Sequence, residues 1–153
     1  MEHSQIIDKI EEIIEDVQTG IMTTIDHEEK NSSKWMVPVL LKYPTTAIYC
    51  FSHPHCEKQR HIAAQNKVEW MIRTEDRSQI VKIEGTAAVN DNPDIKAEML
   101  ERIGGDIATF FKDDTIVEEP VVIETTIETV KYYKPTDGIV ETVIFSQTQQ
   151  PTV

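Results

Sequence analysis

The chain has 153 residues, 39% of them apolar and 27% charged, which suits one globular domain with a single core and hardly two. A formal net charge of -12 argues against a binder of nucleic-acid backbones and, by the same repulsion, against anionic membrane surfaces. The longest apolar stretches, such as residues 35–41, fall far short of a membrane span, and the first residues lack the basic, apolar, small-residue succession of a secretory signal.

In chain order, Ile6, Ile7, Ile10, Ile13, Ile14 and Val17 recur at helical spacing, while Asp8, Lys9, Glu11, Glu12, Glu15 and Asp16 fill the opposite face. This predicts an amphipathic helix, with Gly20 as the residue that ends it. Three strands are expected over residues 21–26, 34–41 and 47–52, with a turn at Tyr43, Pro44, Thr45 and Thr46 between the last two. Residues 54–66 change period and predict a short helix. Strands at 67–74 and 79–90 follow, joined by a turn at Glu75, Asp76, Arg77 and Ser78. Gly85, inside the second of these, marks a bulge or a close backbone approach.

Asn92 followed by Pro93 is a strong helix start, because the amide caps and proline suits the first helical position. The helix buries Ile95, Met99, Leu100 and Ile103, and Gly104 and Gly105 stop it. A second short helix is expected over residues 107–111. Residues 120–134 form a long strand, with Val122, Glu124, Thr126, Glu128 and Val130 on one side, and residues 139–145 leave open a further strand beyond these six. The domain thus spans 1–145, with a flexible tail at 146–153. The fold class is mainly β: a six-stranded antiparallel barrel with flanking helices, since closure removes exposed edges.

No motif for nucleophilic or metal hydrolysis stands up. The cluster His53, Pro54, His55, Cys56 with His61 downstream offers imidazole and thiolate, but no second cysteine frames it, so no metal site is expected. Cys50 and Cys56 lie too close in sequence for a useful bridge, which fits a reducing, cytoplasmic setting. The loop between the third strand and the following helix offers a phosphate site instead. Ser52, Cys56 and Lys58 sit at its mouth, and residues 58–68 carry Lys58, Arg60 and Lys67 without an acid. A solvated helix face with incidental cations is the plain alternative. Pro38 removes a ladder donor inside a strand, so it calls for an edge, a bulge or a ligand beside it.

Met22 to Asp26 (Met-Thr-Thr-Ile-Asp), Trp35 to Val39 (Trp-Met-Val-Pro-Val), Ile48 to Ser52, Lys58 with Ile62 and Asn66, and Val81 to Ala87 follow one another in the order and spacing of a known family. The chain resembles the FMN-binding split barrels of the pyridoxamine 5'-phosphate oxidase-like superfamily, general stress protein 26-like members in particular. The resemblance implies a homodimer with two FMN sites at the subunit interface. It implies a flavin ring along Val37, Pro38, Val39 and Phe51, and a phosphate held by Ser52, Cys56 and Lys58. Heme or a deazaflavin are other ligands of such barrels. The chain departs from the pattern at Val37, where the family often carries arginine, and at Cys56, where it often carries serine. The loss of a cation weakens attraction to a phosphate. The arginine-rich C-terminal motif of the true oxidases is missing, so vitamin B6 synthesis is not expected. The reading is an FMN-binding oxidoreductase with no nameable catalytic side chain. Its rivals are a flavin-sensing module without turnover and a structural dimer with a decayed site. Trp35 and Trp70 are the apolar strand residues expected under a partner subunit.

Overall fold

A computed structural model describes residues 1–25, 30–42, 46–52, 66–103 and 120–145. The expected turn at 43–46 and helix at 54–66, each but for its last residue, lie outside them, as do the helix expected at 107–111 and the tail at 146–153. Helix α1 (His3–Val17) is followed by strands β1 (Gly20–Ile25), β2 (Asn31–Met36), β3 (Val39–Leu41), β4 (Ala47–Ser52), β5 (Lys67–Arg73) and β6 (Ile80–Asn90). Helix α2 (Pro93–Ile103), strand β7 (Val121–Lys134), a short turn of 3-10 helix (Pro135–Asp137) and strand β8 (Ile139–Ile144) complete the chain.

All strand pairs are antiparallel, in the order β2-β1-β5-β6-β7-β4-β3, and β8 adds to the C-terminal half of β7. The two ends of that order, β2 and β3, are separated in sequence by Val37 and Pro38 alone. One extended segment therefore leaves β1 at Met36 and joins β4 at Val39, which closes the sheet into a barrel. The segment expected as one strand over 34–41 is thus two, split where proline cannot donate to a ladder. With β8, this makes eight strands among the described residues rather than six.

The barrel interior is plugged by α1, whose Ile6, Ile7, Ile10, Ile13 and Ile14 are buried against Met22, Leu40, Ile48, Trp70, Ile83 and Ile123 from six different strands. The helix ends two residues before the expected glycine: Gln18 takes the left-handed conformation, with φ 60°, and its N–H bonds Ile14 O at 2.7 Å. Gly20 instead opens β1 where Ile72 and Met71 crowd its α-carbon. Trp70, expected at an outer face, is fully buried in the interior, and its Nε1–H donates to Thr125 Oγ1 at 3.1 Å. That hydroxyl satisfies the indole nitrogen and so permits a tryptophan in the core.

Gly85 is both things the sequence suggested. The β6–β7 register shifts between Glu84 and Gly85, and a side chain at Gly85 would run into the backbone carbonyl of Thr126. Glu84 faces Thr129 and Gly85 faces Ile127, so Glu128 is the extra residue. It resets the side-chain phase of β7. Ile123, Thr125 and Ile127 are buried before it, and Val130 and Tyr132 after it. Val130 therefore points to the interior and does not share a side with Val122, Glu124 and Thr126, as simple alternation predicts.

Candidate functional site

Strands β3 and β4 are buried along their whole length, Val39 to Leu41 and Ala47 to Ser52, because both of their faces are covered. Leu40, Ile48 and Cys50 point into the barrel. Val39, Leu41, Ala47, Tyr49 and Phe51 point outward and form a second apolar cluster with Val122 of β7 and with Ile95 and Met99 of α2. The sequence reaches this arrangement by alternation in two apolar strands, and a helix whose only buried residues are Ile95 and Met99 covers the outer side.

The strand switch brings the predicted site residues to one end of this pair of strands. Val39 is registered with Tyr49, so Val37 and Pro38 on one side and Phe51 and Ser52 on the other lie beyond that pair, at the same end. Residues 37 and 38 belong to no ladder; Val37 is half-buried and Pro38 buried. Val39 and Phe51 are buried within the cluster beneath α2. Ser52 is buried at the end of β4, opposite Val121. Cys56 and Lys58, with the His53, His55 and His61 cluster, lie outside the described residues.

A cleft of about 180 Å³ runs along Val37, Pro38, Val39 and Leu40. Its other walls are Glu11, Ile14, Glu15 and Gln18 of α1 and Arg102 and Ile103 of α2. The Arg102 guanidinium, in reach of Leu40 O at 3.5 Å and of Glu98 at 3.4 Å, is the one cation among its described lining residues, which also include the carboxylates of Glu11 and Glu15. Glu11 is in turn paired with Lys42 at 3.3 Å. Ligand pockets usually enclose roughly 300–1,000 Å³, so the cleft is small for a cofactor ring while α2 is seated.

Sequence reading missed a polar trio on the same outer face. The Tyr49 hydroxyl donates to Glu124 Oε2 at 3.3 Å, and Asn90 Nδ2 donates to Glu124 Oε1 at 2.9 Å. Burial pushes the Tyr49 hydroxyl up to about 12, and the Glu124 carboxylate beside it adds to the effect. The signal was present in β7, where a glutamate directly follows the apolar run Val121, Val122 and Ile123. Its partners come from β4 and β6 and are adjacent only in the folded sheet. Among the described residues no group of three or more His, Cys, Asp or Glu side chains is placed to hold a metal ion, and no helix is long and apolar enough to cross a membrane.

No curated protein sequence matches the chain. Its fold is shared with many solved structures. It superimposes on general stress protein 26 from Bacillus anthracis str. Sterne with a TM-score of 0.67 at 17% identity, covering 92% of this chain and 99% of that one. A nimC/nimA family protein from Clostridium acetobutylicum aligns with a TM-score of 0.72 at 16% identity, covering 95% and 100%. A heme binding protein from Mycobacterium smegmatis aligns with a TM-score of 0.70 at 15% identity, covering 90% of this chain and 57% of that one. Identities this low establish the barrel and nothing of its ligand. The profile of the family described as "Pyridoxamine 5'-phosphate oxidase like" matches residues 5–151. With nearly the whole sequence matched and the closed barrel in place, the chain belongs to the pyridoxamine 5'-phosphate oxidase-like family.

Proposed function

We propose that the protein is an FMN-binding flavoprotein, an oxidoreductase acting as a homodimer in the cytoplasm. The observation that carries this reading is the strand switch at Val37 and Pro38, within a chain of this family. It takes two residues out of the ladders and sets them at the same end of the β3–β4 pair as Phe51 and Ser52. A planar ring needs an apolar strip with backbone N–H and C=O groups at its margin, and Val37, Pro38, Val39 and Phe51 supply the strip. Ser52, with Cys56 and Lys58 of the following loop, would hold the phosphate. FMN, when bound, supplies the hydride or electron transfer, and the protein supplies orientation and hydrogen bonds. Trp35, 64% exposed beside the partly exposed Met71, gives a partner subunit an apolar surface to cover.

Titration of the purified protein with FMN and with riboflavin tests the reading. Lys58→Ala should weaken FMN binding roughly ten- to a hundredfold, the loss of a charge-assisted bond of about 1.5–3 kcal/mol. Riboflavin has no phosphate, and its affinity should barely change. Equal weakening of both ligands, or of neither, removes Lys58 from the site. A colourless preparation that takes up neither flavin rejects the reading altogether.

The heme-binding relative supports a second reading, a heme protein on the same barrel. His3 is the one histidine among the described residues, and it is already engaged. Its ring stacks on Phe145 at 4.2 Å, and its Nε2 lies 3.0 Å from Ile144 O. A histidine ligand would therefore come from position 27, 53, 55 or 61. The absorbance spectrum separates the two: flavin bands support the first reading, an intense Soret band the second.

A further inference from the structure

We propose that the outer face of β1, β2 and β5 carries a binding site for a small zwitterion: a carboxylate joined through one or two carbons to a quaternary ammonium. The site does not depend on the flavin reading. A hollow of about 330 Å³ opens where these strands meet the end of α1, within the roughly 300–1,000 Å³ usual for ligand pockets. Its floor follows from register. Ile21 pairs with Trp35 on one side and with Met71 on the other, so three apolar side chains stand in one row. The alternate residues Met22, Met36, Trp70 and Ile72 are buried in the core, which turns the row outward. Trp35 is 64% exposed and Met71 41% exposed, and both line the hollow. An open indole face attracts a cation, and a quaternary ammonium suits this floor because its methyl groups also pack on Met71 and Ile21. A partner subunit can close over the row without filling the hollow, so a homodimer and a ligand here are compatible.

The charges of the hollow fix the rest of the ligand. Arg73 stands two residues beyond Met71 on β5 and lines the same space. Its Nη1 donates to Thr74 O at 3.1 Å and to Glu75 O at 3.3 Å, which uses both N–H bonds of that nitrogen and holds the guanidinium plane. The Nε and Nη2 edge has no acceptor among the described residues. That edge offers two parallel N–H bonds, the geometry that grips a carboxylate. Asp16 and Glu75 supply the opposite sign. The Asp16 carboxylate accepts the Glu75 N–H at 2.9 Å, and the last turn of α1 carries no base, so the negative end of the helix adds to that of Asp16. A bare anion is disfavoured by the two acids, and a bare cation by the guanidinium. A molecule that carries both charges on a short apolar body meets both.

Isothermal titration calorimetry of the intact protein with three probes of similar shape provides the test. Glycine betaine carries both charges, choline lacks the carboxylate, and the anion of tert-butylacetic acid has a neutral carbon in place of the ammonium. The expected result is saturable betaine binding, about fivefold or more tighter than that of either other probe. Arg73→Gln should weaken betaine about tenfold or more and leave choline unchanged. Trp35→Leu should weaken betaine about fivefold and tert-butylacetate less. Lys131→Gln removes a cation from the same outer face, outside the hollow, and should change nothing. Trp35 and Arg73 are exposed, so both variants should fold, and where one does not the other decides. No saturable betaine binding at roughly 20 mM, equal binding of the three probes, or an unchanged betaine affinity in Arg73→Gln overturns the proposal. A Trp35→Leu protein that becomes monomeric and keeps its betaine affinity overturns it as well, and assigns the row to a subunit contact.

Discussion

The two described helices do different work with the same device, an apolar stripe on a polar helix. Helix α1 inserts Ile6, Ile7, Ile10, Ile13 and Ile14 into the barrel, where strands from all round the sheet surround them. Its polar side is tied down as well: Asp16 accepts the Glu75 N–H at 2.9 Å, and Lys42 reaches Glu11 at 3.3 Å. Helix α2 lies on the outer side, where Ile95 and Met99 are its buried residues and Arg102 reaches Leu40 O at 3.5 Å. Burying an aliphatic side chain contributes about 1.5–3 kcal/mol, so α1 is part of the structure that must form for anything else to exist.

The largest expected effect comes from the barrel body. Gly85→Ala would place a methyl group against the Thr126 backbone carbonyl at the β6–β7 bulge, where neither strand can withdraw. We expect a loss on the order of 3–5 kcal/mol, or failure to fold, read as the urea midpoint. A cost below about 1 kcal/mol would mean that the bulge relaxes and that the body is less unyielding than its packing implies.

The helices themselves come next. Ile10→Ala removes a fully buried side chain and should cost about 3–4 kcal/mol of global stability. Met99, equally buried, should cost clearly less on global unfolding when changed to alanine. The reason is that α2 buries Ile95 and Met99 where α1 buries five isoleucines, so local opening absorbs part of the loss before the barrel unfolds. Equal losses at the two positions would erase the distinction between the inner and the outer helix.

What the sequence reveals follows the same division between local and assembled features. The stripe of α1, the bounds of β4, the Asn92 and Pro93 start of α2 and the disruption at Gly85 all depend on neighbours in sequence, and each is legible there. The phase change of β7 is not, because Glu128 is an extra residue only against β6. Nor is the placing of Trp70, which depends on a hydroxyl 55 positions away. Of the candidate site, Val37, Pro38, Val39, Phe51 and Ser52 do come to one end of the β3–β4 pair. Their burial beneath α2 depends on packing between distant segments, and so does the Tyr49–Glu124–Asn90 trio.

Tyr49 gives a smaller effect and reports on the outer cluster beneath α2. Its folded hydroxyl ionises near 12, above the ordinary 10.0, chiefly because it is buried. The folded state therefore holds this proton more tightly than the unfolded state does. The stability it contributes is intact below pH 10 and declines as pH rises from 10 to 12, on the order of 2 kcal/mol in all. Stability curves of wild type and Tyr49→Phe should converge or cross over that window. Met99→Ala should bring the Tyr49 ionisation, followed by phenolate absorbance, back toward 10 by letting water in. An unchanged ionisation in that variant would say that α2 is not what keeps the hydroxyl dry.

The smallest effect lies at the end of α1 and tests how firmly the plug is set. Gln18 holds φ 60°, a conformation that costs a residue with a side chain roughly 1 kcal/mol and glycine almost nothing. Gln18→Gly removes that strain but gives the unfolded chain more freedom, a partly opposing effect. We expect a net gain of about 0.5 kcal/mol, a rise in Tm of roughly 1–2 °C. Gly20, two residues on, should respond in the opposite direction. A Cβ there would sit 2.8 Å from Ile72 Cγ1 and 3.3 Å from Met71 O. The isoleucine can yield but the carbonyl cannot, so Gly20→Ala should cost about 1–3 kcal/mol. If Gly20→Ala were neutral and Gln18→Gly destabilising, the left-handed turn would belong at residue 20, and α1 would run further toward β1 than the structure places it.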